Sequence, residues 1–146
     1  MTVLDTCGVI AYIDEEPAAG AVEEILRRGG ARLTTVGLSE VLDQRMRKAG
    51  ESRLDTIERL TDYGLDDPIA VDQDIGTLAG VLRATYHRRW GTALSIVDCV
   101  AAAAAIELGV PLATSDAHLL DMAYKENIAV IPLATSLGRR WVEPHD

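Results

Sequence analysis

The chain alternates short apolar runs with longer stretches in which apolar residues recur at helical spacing. TVLD (2–5), ARLTTV (31–36), PIAV (68–71), PLAT (111–114) and IAVI (128–131) are the short runs, and each predicts a strand. Helical patterns lie between them. CGVIAYID follows the first strand at once, AAGAVEEILRRG follows Pro17, and LSEVLDQRMRKAG and SRLDTIERLTDYG form a pair broken at Gly50. DIGTLAGVLRATYHRR predicts a long helix ending before Gly91, an alanine-rich helix comes next, and AHLLDMAYKEN precedes the last strand. Strands separated by helices and apolar on both faces predict an α/β fold, a parallel sheet of about five strands flanked by helices. Pro132 opens an irregular tail over 134–146, so a single domain with its core in residues 2–133 is expected.

Within the alanine-rich segment SIVDCVAAAAAIELGV (95–110), Asp98 is the one charge between Ile96 and Ile106. A helix apolar on every side is packed on several sides, and an ionised carboxylate there is costly unless bonded, paired or bound to metal. Sheets of this kind bind ligands beyond the carboxyl ends of their strands. Asp5 ends the first strand, and Asp116 stands just past PLAT. Glu40 is expected in the first turn of the helix after the second strand, and Asp98 in the first turn of the alanine-rich helix. Each acid has a local explanation: Asp5 and Asp116 as N-caps, Ser95 and Asp98 by their capping-box spacing, and Glu40 as a complement to the helix dipole. Ordinary capping does not require all four at one edge of one sheet, however. Clustered carboxylates repel, and a divalent cation relieves that repulsion. An oxygen-only set without a His or Cys motif points to Mg²⁺ or Mn²⁺.

Composition changes this picture in two places. Hydrophobic residues make up 48% and charged residues 25%, which is globular. The net charge of −9 weighs against a nucleic-acid partner, because backbone binding relies on clustered Lys and Arg. RATYHRRWG (83–91) is the local exception: Arg83, Arg88 and Arg89 stand with Tyr86 and Trp90, a combination suited to phosphate contact and base stacking. GRRW near the C-terminus repeats it on a smaller scale, although Trp141 has the alternative role of pinning the tail. Cys7 and Cys99 make neither a disulfide framework nor a zinc spacing, and His87, His118 and His145 are scattered. The N-terminus lacks the basic and long apolar regions of an export signal, and no apolar run reaches membrane-spanning length. A cytoplasmic protein without a membrane partner is expected.

VLDTCGVIAYI, LSEVLDQ, LSIVDCVAAAAAIELGVPLATSD and the closing IAVIPL resemble PIN domains, most closely the VapC-like toxins of bacterial toxin–antitoxin pairs. The resemblance runs from Val3 to Leu133 and covers the order and spacing of all four acids. It implies a sheet of strand order 3-2-1-4-5 and a metal-dependent ribonuclease with Asp5, Glu40, Asp98 and Asp116 as its acidic set. It also implies Thr6 and Ser115 as hydroxyls near the metal. On this reading Asp5, Asp98 and Asp116 are ligands of Mg²⁺ or Mn²⁺, and Glu40 either orients and deprotonates the attacking water or joins them. The implied partners are an RNA substrate, a second copy of the chain, and an antitoxin whose C-terminal segment blocks the acids. The helical pair over 38–63, with Leu38, Val41, Leu42 and Met46 at helical spacing, offers an apolar surface for such partners, as core packing also does.

The chain departs from the pattern at Cys7, where many relatives carry serine, and Asp121 has no helical-spacing claim to join the set. A haloacid-dehalogenase phosphatase would need an aspartate at Cys7. A receiver domain would need a lysine where Pro132 follows IAVI, and no GxGxxG supports a dinucleotide fold. The remaining alternative is a PIN-like module that binds RNA or protein without cutting it.

Overall fold

The computed structural model describes residues 1–145. Asp146, at the end of the expected domain, lies outside the described residues. In chain order the elements are β1 (Thr2–Leu4), α1 (Thr6–Ile13), α2 (Ala19–Arg28), β2 (Ala31–Arg32), α3 (Thr35–Arg47) and α4 (Arg53–Asp62). There follow α5 (Gln73–Tyr86), α6 (Ile96–Leu108), β3 (Leu112–Thr114), α7 (Ala117–Lys125) and β4 (Val130–Pro132). The strands form one parallel sheet in the order β2-β1-β3-β4.

Four strands stand where five were expected. PIAV takes the outer place beside β2, but only as a single parallel bridge between Ile69 and Thr34. Two causes limit it. Pro68 has no N–H to extend the ladder. Thr34, its partner, already turns away as the N-cap of α3, its hydroxyl accepting from the Gly37 N–H at 2.9 Å. The same cap ends the second strand at Arg32 rather than Val36 and starts the helix at Thr35, so Glu40 lies in the second turn, not the first.

Both faces of the sheet are covered, and the two-residue period of a strand explains how. Val3 and Leu112 point into a core built with α5, α6 and α7. Their neighbours Leu4 and Ala113 point the other way, into a core built with α1, α2 and α3. The alanines of α6 are what its position demands. Ala101 through Ala105 are all buried, and the helix packs against α5, α3, α7 and the sheet at once. Ser95 and Asp98 start it with a complete capping box, and Gly109, at φ 63°, ends it in the left-handed conformation that glycine adopts without strain.

An ion-pair network ties α3 to its neighbours. Arg45 reaches Asp14 at 3.0 Å and Glu51 at 3.0 Å, and Arg59 reaches Glu51 at 3.1 Å. Burial alone would raise the Glu51 carboxyl, but the Arg59 and Arg45 hydrogen bonds outweigh it and hold the group at about 2. On the far edge, Pro132 pairs in register with Thr114, and the next N–H, from Leu133, bonds to the Thr114 carbonyl at 2.9 Å. Proline thus lies inside the last strand rather than opening the tail.

Ala103 is wholly buried, so Ala103→Leu forces three added carbons into a filled interior. We expect destabilisation of about 1–3 kcal/mol, read as a lower urea midpoint with an unchanged slope. An unchanged midpoint would show that α6 has room to spare.

Candidate active site

The chain passes from β1 to β2 on one side and later returns to β3 on the other, so the strand order reverses between β1 and β3. Asp5 and Asp116 flank that switch point. Asp5, only 5% exposed, caps α1: its Oδ1 accepts from the Thr6 N–H at 2.9 Å. Its Oδ2 accepts from the Thr114 hydroxyl at 2.8 Å and from the Cys7 thiol at 3.4 Å. Asp116 caps α7 through Oδ1, which accepts from the Leu119 N–H at 2.9 Å, while its own N–H donates to Thr114 Oγ1 at 3.1 Å. Asp98 accepts from the Ser95 N–H through Oδ2 at 2.9 Å, and Ser95 Oγ accepts from the Asp98 N–H at 3.0 Å.

Glu40 arrives from the other core. A side chain at Gly37 would place Cβ 3.3 Å from Thr34 Oγ1 and 3.6 Å from Thr6 Oγ1, so glycine lets α3 lie close to the start of α1. The Thr6 hydroxyl donates to the Gly37 carbonyl at 3.4 Å across this contact.

Asp5, Glu40, Asp98 and Asp116 line one pocket of about 300 Å³ together with Cys7, Ile10, Glu16 and Gln44. Among the described residues five carboxylates face it and no Lys, Arg or His lines it. Burial, and then the Asp98 charge, push the Asp5 carboxyl up to about 6 against the hydrogen bonds from Thr114, Cys7 and Thr6. The Asp98 carboxyl is raised chiefly by burial, with Asp116 and Glu40 adding repulsion and the Ser95 bonds opposing it. Burial and the Asp5 charge push the Cys7 thiol up to about 12, so it stays neutral and able to donate. Two larger clefts, of about 600 and 480 Å³, lie beside β4 with a single carboxylate lining each, and a third, of about 410 Å³, offsets Glu15 and Glu23 with Arg59. Charge, not size, distinguishes the acidic pocket.

The chemistry of these donors fits a hard divalent cation: oxygen ligands, excess negative charge and no competing ammonium or guanidinium. Asp98 Oδ1, Asp116 Oδ2 and both Glu40 oxygens have no protein hydrogen-bond partner among the described residues. Among those residues, however, no three His, Cys, Asp or Glu side chains stand close enough to hold a metal without further movement. The acids share a cavity without converging to coordination distance.

Other expected residues have different surroundings. Thr6 gives its hydroxyl to Gly37, and Ser115 donates its own to Cys7 at 3.3 Å, so neither lines the pocket. Asp121 accepts from the Trp141 indole N–H at 2.8 Å and thereby pins the tail. Arg83 donates through Nε to the Leu94 carbonyl, while Arg88, Arg89 and Trp90 are exposed in the turn after α5, which ends at Tyr86. Three contributors escaped the sequence reading. Thr114 joins Asp5 to Asp116; its sole signal was a hydroxyl at a strand end. Gln44 lies four residues beyond Glu40 on the same helix face, a spacing that reveals it. Glu16 sits in a loop without a motif.

The sequence matches the PIN domain over residues 2–125. The chain belongs to the PIN domain family. No curated protein matches it significantly. Solved structures similar to this PIN chain include the VapBC2 complex from Rickettsia felis bound to a promoter DNA fragment, at TM-score 0.63 and 16% identity, covering 89% of this chain and 96% of that one. A toxin–antitoxin complex from Klebsiella pneumoniae matches at TM-score 0.57 and 18% identity over 80% of this chain and 87% of the other. FitAcB from Neisseria gonorrhoeae matches at 0.56 and 19%, over 90% and 96%. At these identities the likeness is one of fold. Among the described residues no helix is long and apolar enough to cross a membrane.

The raised Asp5 carboxyl makes the stability of this PIN domain depend on pH. Its ordinary value is 3.8 and its folded value about 6, so folding loses stability as pH climbs between them and regains none above. In chelator, the stability of Asp5→Asn relative to the parent in chemical denaturation is expected to be greater at pH 8 than below pH 4 by an amount on the order of 3 kcal/mol, the lost hydrogen bond at Thr114 and Cys7 lowering both values alike. An equal difference at both pH values would contradict the assignment.

Proposed function

We propose that this chain is a metal-dependent endoribonuclease, the toxin of a toxin–antitoxin pair. The observation that carries the reading is the meeting of Asp5, Glu40, Asp98 and Asp116 in one pocket with no basic residue to neutralise them. The PIN family match and the fold shared with toxin–antitoxin complexes support it.

Asp5, Asp98 and Asp116 are the residues that would hold Mg²⁺ or Mn²⁺. The chemistry supplied by the bound ion is activation of water and relief of charge on the phosphoryl oxygens. Thr114 keeps one Asp5 oxygen fixed, and the caps at α6 and α7 leave Asp98 Oδ1 and Asp116 Oδ2 turned free. Glu40, with both oxygens unengaged, orients the attacking water and takes its proton. Water adds at phosphorus, the phosphodiester P–O bond breaks, and solvent protonates the leaving oxygen.

In a cytoplasmic setting the antitoxin covers this pocket with a basic side chain, an electrostatic substitute for the metal. Exposed Met46 on α3 with Leu54 and Ile57 on α4 offers apolar surface for the antitoxin and for a second copy of the chain. A second reading, a PIN-like module that binds RNA or protein without cutting, is favoured by the acids' distance from coordination geometry.

Purified chain incubated with total cellular RNA in chelator, Mg²⁺ or Mn²⁺, followed by end mapping, separates the two readings. Discrete metal-dependent cuts are expected, and binding without cuts would favour the module. Asp98→Asn keeps an oxygen for the Ser95 N–H, so the fold should persist while cleavage drops at least about 100-fold. The same variant should lose the rise in thermal midpoint that Mn²⁺ gives the parent chain.

A further inference from the structure

We propose that the turn between α5 and α6 is a platform on which Trp90 stacks one unpaired base of single-stranded RNA, with Arg88 and Arg89 contacting its phosphates. The proposal deepens the ribonuclease reading and rests on it for the choice of RNA.

The turn is a built feature. The Arg88 N–H bonds to the Thr92 carbonyl at 2.7 Å, and Gly91, at φ 119°, supplies the reversal that a side chain would strain. Leu94, 1% exposed, roots the turn in the core. Two α5-side groups grip its backbone: Arg83 Nε donates to the Leu94 carbonyl at 2.9 Å, and the Leu94 N–H donates to His87 Nδ1 at 3.1 Å. Arg83 and His87 are therefore positioning residues for the turn.

Little of what this frame presents serves the fold: Arg88 Nη1 donates to the His87 carbonyl at 2.9 Å, and its remaining N–H groups face solvent with Arg89 and Trp90. Trp90 is 85% exposed, an expensive place for an indole that is not packed into the core. The Arg89 guanidinium lies 5.5 Å from the ring centroid, which leaves the opposite face open. Arg27, Arg28, Arg32, Arg45, Arg47 and Arg59 are each paired with a carboxylate. Among the described residues Arg88 and Arg89 have no such partner, as Arg53, Arg83, Arg139 and Arg140 have none, but they alone of these flank an exposed indole in a chain whose net charge is −9. An open indole face beside two guanidiniums without a carboxylate partner suits a base with its flanking phosphates, and stacking requires that the base be free of a duplex. The turn runs straight into Ser95, the cap that aims Asp98, so platform and acids share one short connection.

The chain has two tryptophans, and Trp141→Phe leaves Trp90 as the one tryptophan, excited apart from the four tyrosines at the red edge of its absorption. In chelator, where no cleavage occurs, a single-stranded oligoribonucleotide of about ten nucleotides should quench this emission saturably, and a duplex of the same sequence should not. By fluorescence anisotropy of labelled RNA, Trp90→Ala should weaken binding roughly ten-fold, with Trp90→Phe largely restoring it. Exchanging Arg88 and Arg89 for Gln should lower the slope of log K against log salt by about 1.4. Circular dichroism verifies the fold of each variant. Unchanged emission on addition of RNA, equal quenching by the duplex, or unaltered binding by Trp90→Ala would each overturn the proposal. Single-strand quenching in a chain that makes no metal-dependent cuts would sink the nuclease reading and leave the platform standing. Metal-dependent cuts with a silent Trp90 would do the reverse.

Discussion

Crowded negative charge at the carboxyl edge of the sheet is the constraint around which the rest of the molecule is arranged. Asp5, Asp98 and Asp116 approach that edge from three helix starts, those of α1, α6 and α7. Each helix start carries unsatisfied N–H groups and the positive end of a dipole, so three partial positive charges converge where the acids do. The compensation is incomplete. Asp5 and Asp98 remain harder to ionise than ordinary carboxyls, and burial is the leading cause for both.

Capping and chemistry are therefore not competing explanations of these residues. A carboxylate has two oxygens, and in Asp98 and Asp116 one is fixed by a local amide while the other has no protein partner among the described residues. The local bond sets the direction of the side chain; the free oxygen gives that direction a use. Asp5 is held more tightly, since Thr114 and Cys7 occupy its second oxygen. Thr114 is the hinge of the arrangement, because the same hydroxyl also accepts the Asp116 N–H.

Much of this was legible in the sequence, and the failures have physical reasons. The apolar runs located β1 and β3 within a residue, and the alanine tract announced a helix with no exposed side. The position of Glu40 was misjudged because a threonine cap lies inside a run that reads as strand: TTV is β-branched, yet Thr34 starts a helix. PIAV fell short of a strand for the same cause, its neighbour having already turned away. Asp5 and Asp116 were found together because a parallel sheet sends every loop after a strand to one edge, and Glu40 and Asp98 followed from their places early in the helices that lead away from that edge. Glu16 and Thr114 were not, since their contribution depends on a loop path and on a hydroxyl contact across 109 positions of chain.

The last strand carries one more lesson. β4 lies at the rim of the sheet with a neighbour on one side only. Successive N–H groups of a strand point to alternate sides, and that of Leu133 points inward to Thr114. The position before it is where an outward N–H would stand, and Pro132 has none. A foreign strand laid along this rim finds a donor missing where its ladder would need one, and so the molecule guards itself against sheet-to-sheet aggregation through the residue that ends its own sheet.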